Sequence, residues 1–142
     1  MNYRKIIFLF VIMLFSVTAY AEKVVVIVNA SNPQALTSND IKGIYSDNVI
    51  QWENGDAIKV YDLPVKMKAR ETFSQSILGS SARSVAKDWA NRKITNTAKN
   101  PPKTKKERLV VASVKKKANA IGYVSESAIV GKTGVKVIMT LK

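Results

Sequence analysis

Val24-Val25-Val26-Ile27-Val28 carries no polar side chain on either face, and Asn29-Ala30-Ser31-Asn32-Pro33 follows at once. A strand points alternate side chains to opposite faces, so five apolar residues in a row describe a strand covered above and below. The turn formers behind it end the run. Such a strand needs helical layers, and the flanking sequence supplies them. Thr37 and Asp40 have capping-box spacing, with Leu36 and Ile41 placed as a hydrophobic staple, and this starts a short helix over 38–45. After a turn at Asn54-Gly55, the β-branched and aromatic run Ile58-Lys59-Val60-Tyr61-Asp62-Leu63 reads as a second strand.

Two helices come next. Ala69, Phe73 and Ile77 recur every four residues, as do Ala82, Ala86 and Ala90, with Val85 and Trp89 beside them. Gly79-Ser80-Ser81 divides the pair and offers a serine N-cap. A polar loop over 95–103 contains Asn100-Pro101-Pro102. Thr104 and Glu107 repeat the capping-box pattern and open a helix with Leu109, Val110, Ser113 and Val114 inward. Ala120-Ile121-Gly122-Tyr123-Val124 is a short strand, 125–128 a turn, and Val135–Leu141 the last strand. The alternation predicts an α/β domain with a sheet of about four or five strands flanked by helices.

The 142-residue length suits one such domain, and the chain has no cysteine and no histidine. Disulfides, thiol catalysis, imidazole acid–base chemistry and the usual zinc sites are thereby excluded. Scattered carboxylates such as Asp40, Asp88 and Glu126 form no paired site in the sequence. Non-covalent binding without a metal or cofactor is the expectation, rather than catalysis.

Arg4 and Lys5 precede the apolar run Ile6–Phe15, and Ala19-Tyr20-Ala21 supplies small residues at −3 and −1 of a cleavage site. These are the three parts of a secretory signal peptide over 1–21, leaving a mature domain over 22–142. The apolar run falls well short of the ~20 residues that span a bilayer, so the expectation is a periplasmic protein with no stable membrane insertion after cleavage.

Cleavage would remove only two of the 23 basic side chains, against 10 acidic ones. Much of the excess lies in 99–117, where Lys105, Lys106, Arg108, Lys115, Lys116 and Lys117 stand against Glu107 alone. Such a face attracts anions or an acidic partner protein, and also reads as a solvated helix face. Nucleic acid is not indicated, because no aromatic residues are interleaved there to stack bases.

The order of these pieces resembles the periplasmic phosphate-binding proteins of ABC transporters, and more closely their short, single-lobe relatives. The resemblance rests on 24–31, on Leu36-Thr37-Ser38-Asn39-Asp40-Ile41-Lys42-Gly43-Ile44-Tyr45 with Trp52-Glu53-Asn54-Gly55, on 60–63 leading to Arg70-Glu71-Thr72-Phe73, and on Ala120–Val124. It implies a type 2 periplasmic-binding-protein fold reduced to one lobe. It further implies uptake of phosphate or a similar small oxyanion, passed to an ABC permease. The family's first-strand ligand loop falls on Ala30, Ser31 and Asn32, and its Gly-Ser-Gly-Thr turn on Lys66, Met67, Lys68 and Ala69. The sequence departs from that pattern by having no hydroxyl in the second turn and by placing Asp62 where the family has arginine.

The expected anion site therefore lies between Ala30–Asn32 and Lys66–Ala69, with Asp62 beside it. The alternative is an accessory or assembly module of an envelope machine that keeps the fold. It would dock another envelope protein through the basic helix over 105–117.

Overall fold

The computed structural model describes residues 22–142; the segment read as a signal peptide lies outside the described residues. Strand β1 (Val24–Asn29) is followed by helix α1 (Ser38–Tyr45), strand β2 (Lys59–Asp62) and helix α2 (Lys68–Phe73). A π-helical turn (Ser74–Leu78) continues α2 and ends at Gly79, whose φ of 68° is the left-handed conformation glycine adopts without strain. Helix α3 (Ala82–Ile94), strand β3 (Lys103–Thr104), helix α4 (Glu107–Lys116), strand β4 (Ala120–Ser125), a 3-10 turn (Glu126–Ile129) and strand β5 (Val135–Leu141) complete the chain.

The strands form one sheet in the order β3-β2-β4-β1-β5. Pairing of β2 with both β3 and β4 is parallel, whereas β1 runs antiparallel to β4 and β5. Residues Val24–Val28 are buried from end to end, as two-sided coverage requires. On one face Tyr123 of β4 stacks on Phe73 of α2, ring centroids 3.8 Å apart, and Tyr45 of α1 meets both edge-on. On the other face Gly122 lets α4 come close, with Val110 and Val114 lying over it.

Local rules hold at α1, where Thr37 and Asp40 make both halves of the capping box. They give way at α4. Its N-cap is Lys106, with no side-chain cap, and the Glu107 carboxylate accepts the Ser125 N–H at 2.7 Å instead of turning back to Thr104. A buried strand end with an unpaired N–H outcompetes an exposed cap. The inward face of α4 is Val110, Val111 and Val114, and Leu109 is exposed. In α3, Ala82 and Trp89 are buried while Ala90 faces solvent. The 95–103 loop is pinned by Asp47, whose buried carboxylate accepts the backbone N–H groups of Lys99 and Asn100, both at 2.7 Å.

Candidate functional site

Two edges of the sheet compete for a ligand, and strand register assigns each predicted residue to one of them. Ile121 of β4 lies between Val60 of β2 and Val28 of β1. From that point β2 runs on to Asp62 alongside the end of β4, while β1 runs the opposite way to Asn29. Ala30–Asn32 and Asp62–Ala69 therefore sit at opposite edges. The single pocket expected between them does not exist, because β1 enters the sheet antiparallel.

At the β1 exit the polar atoms are engaged locally. The Ser31 hydroxyl donates to Asn29 Oδ1 at 2.6 Å, the Gln34 N–H donates to Asn32 Oδ1 at 2.9 Å, and the Ala30 N–H donates to the Gly134 carbonyl at 3.0 Å. A cavity of about 220 Å³ opens there, and its charged lining residues are Glu53 and Asp56. That is a poor setting for an anion.

The β2 edge is different. Asp62 is buried and fully engaged: its Oδ1 accepts from the Tyr123 hydroxyl and the Leu63 N–H, and its Oδ2 meets Arg70 Nη2 at 3.3 Å. Burial pushes the Asp62 carboxyl up from its ordinary value; the Arg70 guanidinium, the Tyr123 hydroxyl and the Leu63 N–H offset this only in part. Arg70 Nη1 also donates to the Leu63 carbonyl at 2.8 Å. Asp62 thus pairs with the buried Arg70. Nothing local in the sequence marks Arg70 for this role, because its neighbours Ala69 and Phe73 form a core-facing stripe, a setting in which arginine is rare.

Beyond Asp62 the chain starts α2. Its N-cap Met67 contributes no side-chain bond, and the Met67 carbonyl receives the N–H groups of Arg70 and Glu71. The N–H groups of Lys68 and Ala69 have no acceptor among the described residues. The side chains of Lys66 and Lys68 are exposed beside them. Two exposed lysines and two backbone donors without an acceptor thus belong to the same turn.

The basic residues of 105–117 do not form one face. Lys105 and Lys117 turn onto the Tyr61 ring, 5.4 and 5.6 Å from its centroid, and Lys117 Nζ donates to the Tyr61 hydroxyl at 2.8 Å. Arg108 and Lys115 line a groove of about 390 Å³ against the 3-10 turn. Lys106 and Lys116 are exposed. Trp52, Trp89 and Tyr123 are core residues.

Several solved structures are similar to this chain in fold. An ABC-type phosphate transport receptor from Vibrio cholerae matches 83% of this chain with 19% identity and a TM-score of 0.62. The fold of this chain is similar to that of part of this receptor. A possible phosphate binding protein from Planctomyces limnophilus matches 82% of the chain at 14% identity and a TM-score of 0.63. A chain described as a phosphate ABC transporter substrate-binding protein from Clostridium perfringens, solved with bound phosphate, matches 82% at 20% identity and 0.60. The present chain spans 46%, 40% and 44% of their respective lengths. No family model and no curated protein sequence matches it. Among the described residues there is no helix long and apolar enough to cross a membrane and no cluster of potential metal ligands.

Proposed function

We propose that this protein is an exported, non-enzymatic solute-binding protein that takes phosphate or a similar small oxyanion at the start of α2. Removal of 1–21 would release the domain over 22–142 into the periplasm. The observation carrying this reading is the uncapped turn at Lys66–Ala69, where two unpartnered N–H groups stand beside two lysine side chains. An oxyanion meets its requirement for converging donors there without a hydroxyl. The likeness to receptors described as phosphate-binding supports the ligand class and an ABC permease as recipient. Ala30, Ser31 and Asn32 have no part in it, since they lie at the other edge beside Glu53 and Asp56.

Docking through 105–117 as one face has less behind it, because Lys105 and Lys117 are drawn onto Tyr61. Calorimetry with phosphate and sulfate tests the proposal. Sub-millimolar binding that disappears in Lys66→Ala/Lys68→Ala is the expected outcome. Absence of heat with both ions at millimolar concentration would overturn it.

A further inference from the structure

Arg108, Val111, Ala112 and Lys115 of α4 stand at i, i+3, i+4 and i+7, so they share one face of the helix over two turns. With Ala128 and Lys132 across from them, they line the groove of about 390 Å³ beside the 3-10 turn. Cations stand at both ends of the helical stripe, about 10 Å apart along the axis, with Val111 and Ala112 between them. Lys132 adds a third cation from the opposite wall.

Arg108, Lys115 and Lys132 are exposed and form no ion pair among the described residues. Glu107, which also lines the groove, is committed to the Ser125 N–H. Helix α4 covers the sheet face opposite α2, since Gly122 meets Val110 while the next residue, Tyr123, stacks on Phe73. The sheet therefore separates this groove from the turn at Lys66–Ala69.

Three charges without counter-charge call for an acidic occupant, and the apolar floor calls for one that also brings hydrocarbon. The spacing selects its shape. A helix laid along α4 repeats its own side chains at i, i+3, i+4 and i+7, and so matches acid to cation and apolar to apolar. A flat bilayer surface would meet the long basic side chains before the short alanines recessed between them. A second copy of this chain does not supply the match, because each of the four described α-helices carries a single acidic residue.

We propose that this groove docks an acidic amphipathic helix of a partner protein. Two carboxylates two turns apart meet Arg108 and Lys115, and an apolar side chain between them rests on Val111, Ala112 and Ala128. Lys132 closes over the other flank. Oxyanion capture at Lys66–Ala69 is a separate property, and either can fail without the other.

Fluorescence anisotropy with a labelled helical peptide of about 18 residues tests the assignment. The peptide carries Glu at i and i+7 and Leu at i+3 and i+4. Saturable binding with a Kd of about 100 μM or tighter is expected, and a shuffled peptide of the same composition should bind at least about tenfold more weakly. Arg108→Glu/Lys132→Glu, both exposed, should weaken the designed peptide about tenfold, through two lost pairs and the repulsion that replaces them. Lys106→Glu/Lys116→Glu makes the same charge change on exposed residues outside the groove and should cost less than about twofold. Millimolar phosphate should leave the designed peptide bound. No saturable binding, equal binding of the shuffled peptide, or equal losses in the two double variants would each overturn the proposal. Displacement of the peptide by phosphatidylglycerol vesicles would overturn it too, by assigning the groove to a lipid surface.

Discussion

Arg70 and Asp62 form a buried ion pair, Nη2 to Oδ2 at 3.3 Å, with only 5% and 8% of their side chains exposed. The pair closes the end of β2 onto the start of α2, and Arg70 Nη1 ties the Leu63 carbonyl into the same joint. Removing one member should cost far more than the pair itself contributes, since the survivor keeps its charge out of water. Arg70→Met is expected to destabilise the protein by about 3–5 kcal/mol. Asp62→Leu/Arg70→Met should recover much of that loss in urea denaturation.

The same pair fixes a pH response. The Asp62 carboxyl is held above its ordinary value by burial, so the folded state binds its proton more tightly than the unfolded chain does. Its contribution is therefore most favourable in acid and is lost as pH rises through the raised value. In Arg70→Met the opposing guanidinium is gone, and the window should widen upward. Denaturation midpoints of wild type and variant, measured across the acid range, should diverge as pH rises. Parallel curves would count against a buried Asp62 charge.

Asp47 offers a second test. It sits at φ 69° and accepts two backbone N–H groups from the 95–103 loop. Glycine adopts that φ freely, so Asp47→Gly removes the carboxylate without backbone strain. Loss of two charge-assisted bonds should cost about 3 kcal/mol. Hydrogen exchange should accelerate at Lys99 and Asn100 before it does in the sheet.

Gly122 is required by packing, not by conformation. A Cβ there would lie 2.5 Å from Val110 Cγ1 and 3.4 Å from Val114 Cγ2, both buried and both stiff at χ1. Gly122→Ala should destabilise by about 1–3 kcal/mol. Val110→Ala, added to it, should cost less than it does alone in wild type, as a thermal-melt double-mutant cycle would reveal.

The tyrosines should separate on alkaline titration. Burial, the largest influence on the Tyr61 phenol, raises its pKa. The Lys117 hydrogen bond and charge, with Ser113 and Lys105, outweigh it and bring the phenol below its ordinary 10.0. Burial and the nearby Asp62 carboxylate push Tyr45 and Tyr123 well above that value. Absorbance near the phenolate band should show an early Tyr61 component that moves upward in Lys117→Met. The stabilising contribution of Tyr61 is complete above 10.0 and fades as pH falls through its lowered value. Tyr45 and Tyr123 act oppositely and should set the onset of alkaline unfolding.

Much of the architecture is legible in the chain because its signals are local. The Val24–Val28 run, the Thr37–Asp40 box and the apolar odd positions of 135–141 each specify an element through side-chain period or capping geometry. The second capping pattern, Thr104 with Glu107, misleads because a partner distant in sequence, the Ser125 N–H, competes for the same carboxylate. The paired binding loops mislead for a related reason. Alternation of apolar residues is blind to strand direction, and the antiparallel entry of β1 sends Ala30–Asn32 to the far edge. The burial of Arg70 was equally invisible, since nothing near it in sequence reveals the Asp62 carboxylate it meets.

By itself the sequence determined the α/β class, the element order, the apolar core and the absence of thiol and imidazole chemistry, all of which follow from residue type and short-range period. Only the tertiary structure decided which edge carries free donors, which lysines remain available and which arginine lies beneath the sheet edge. Those outcomes depend on strand direction and on contacts between residues far apart in the chain, and local periodicity encodes neither.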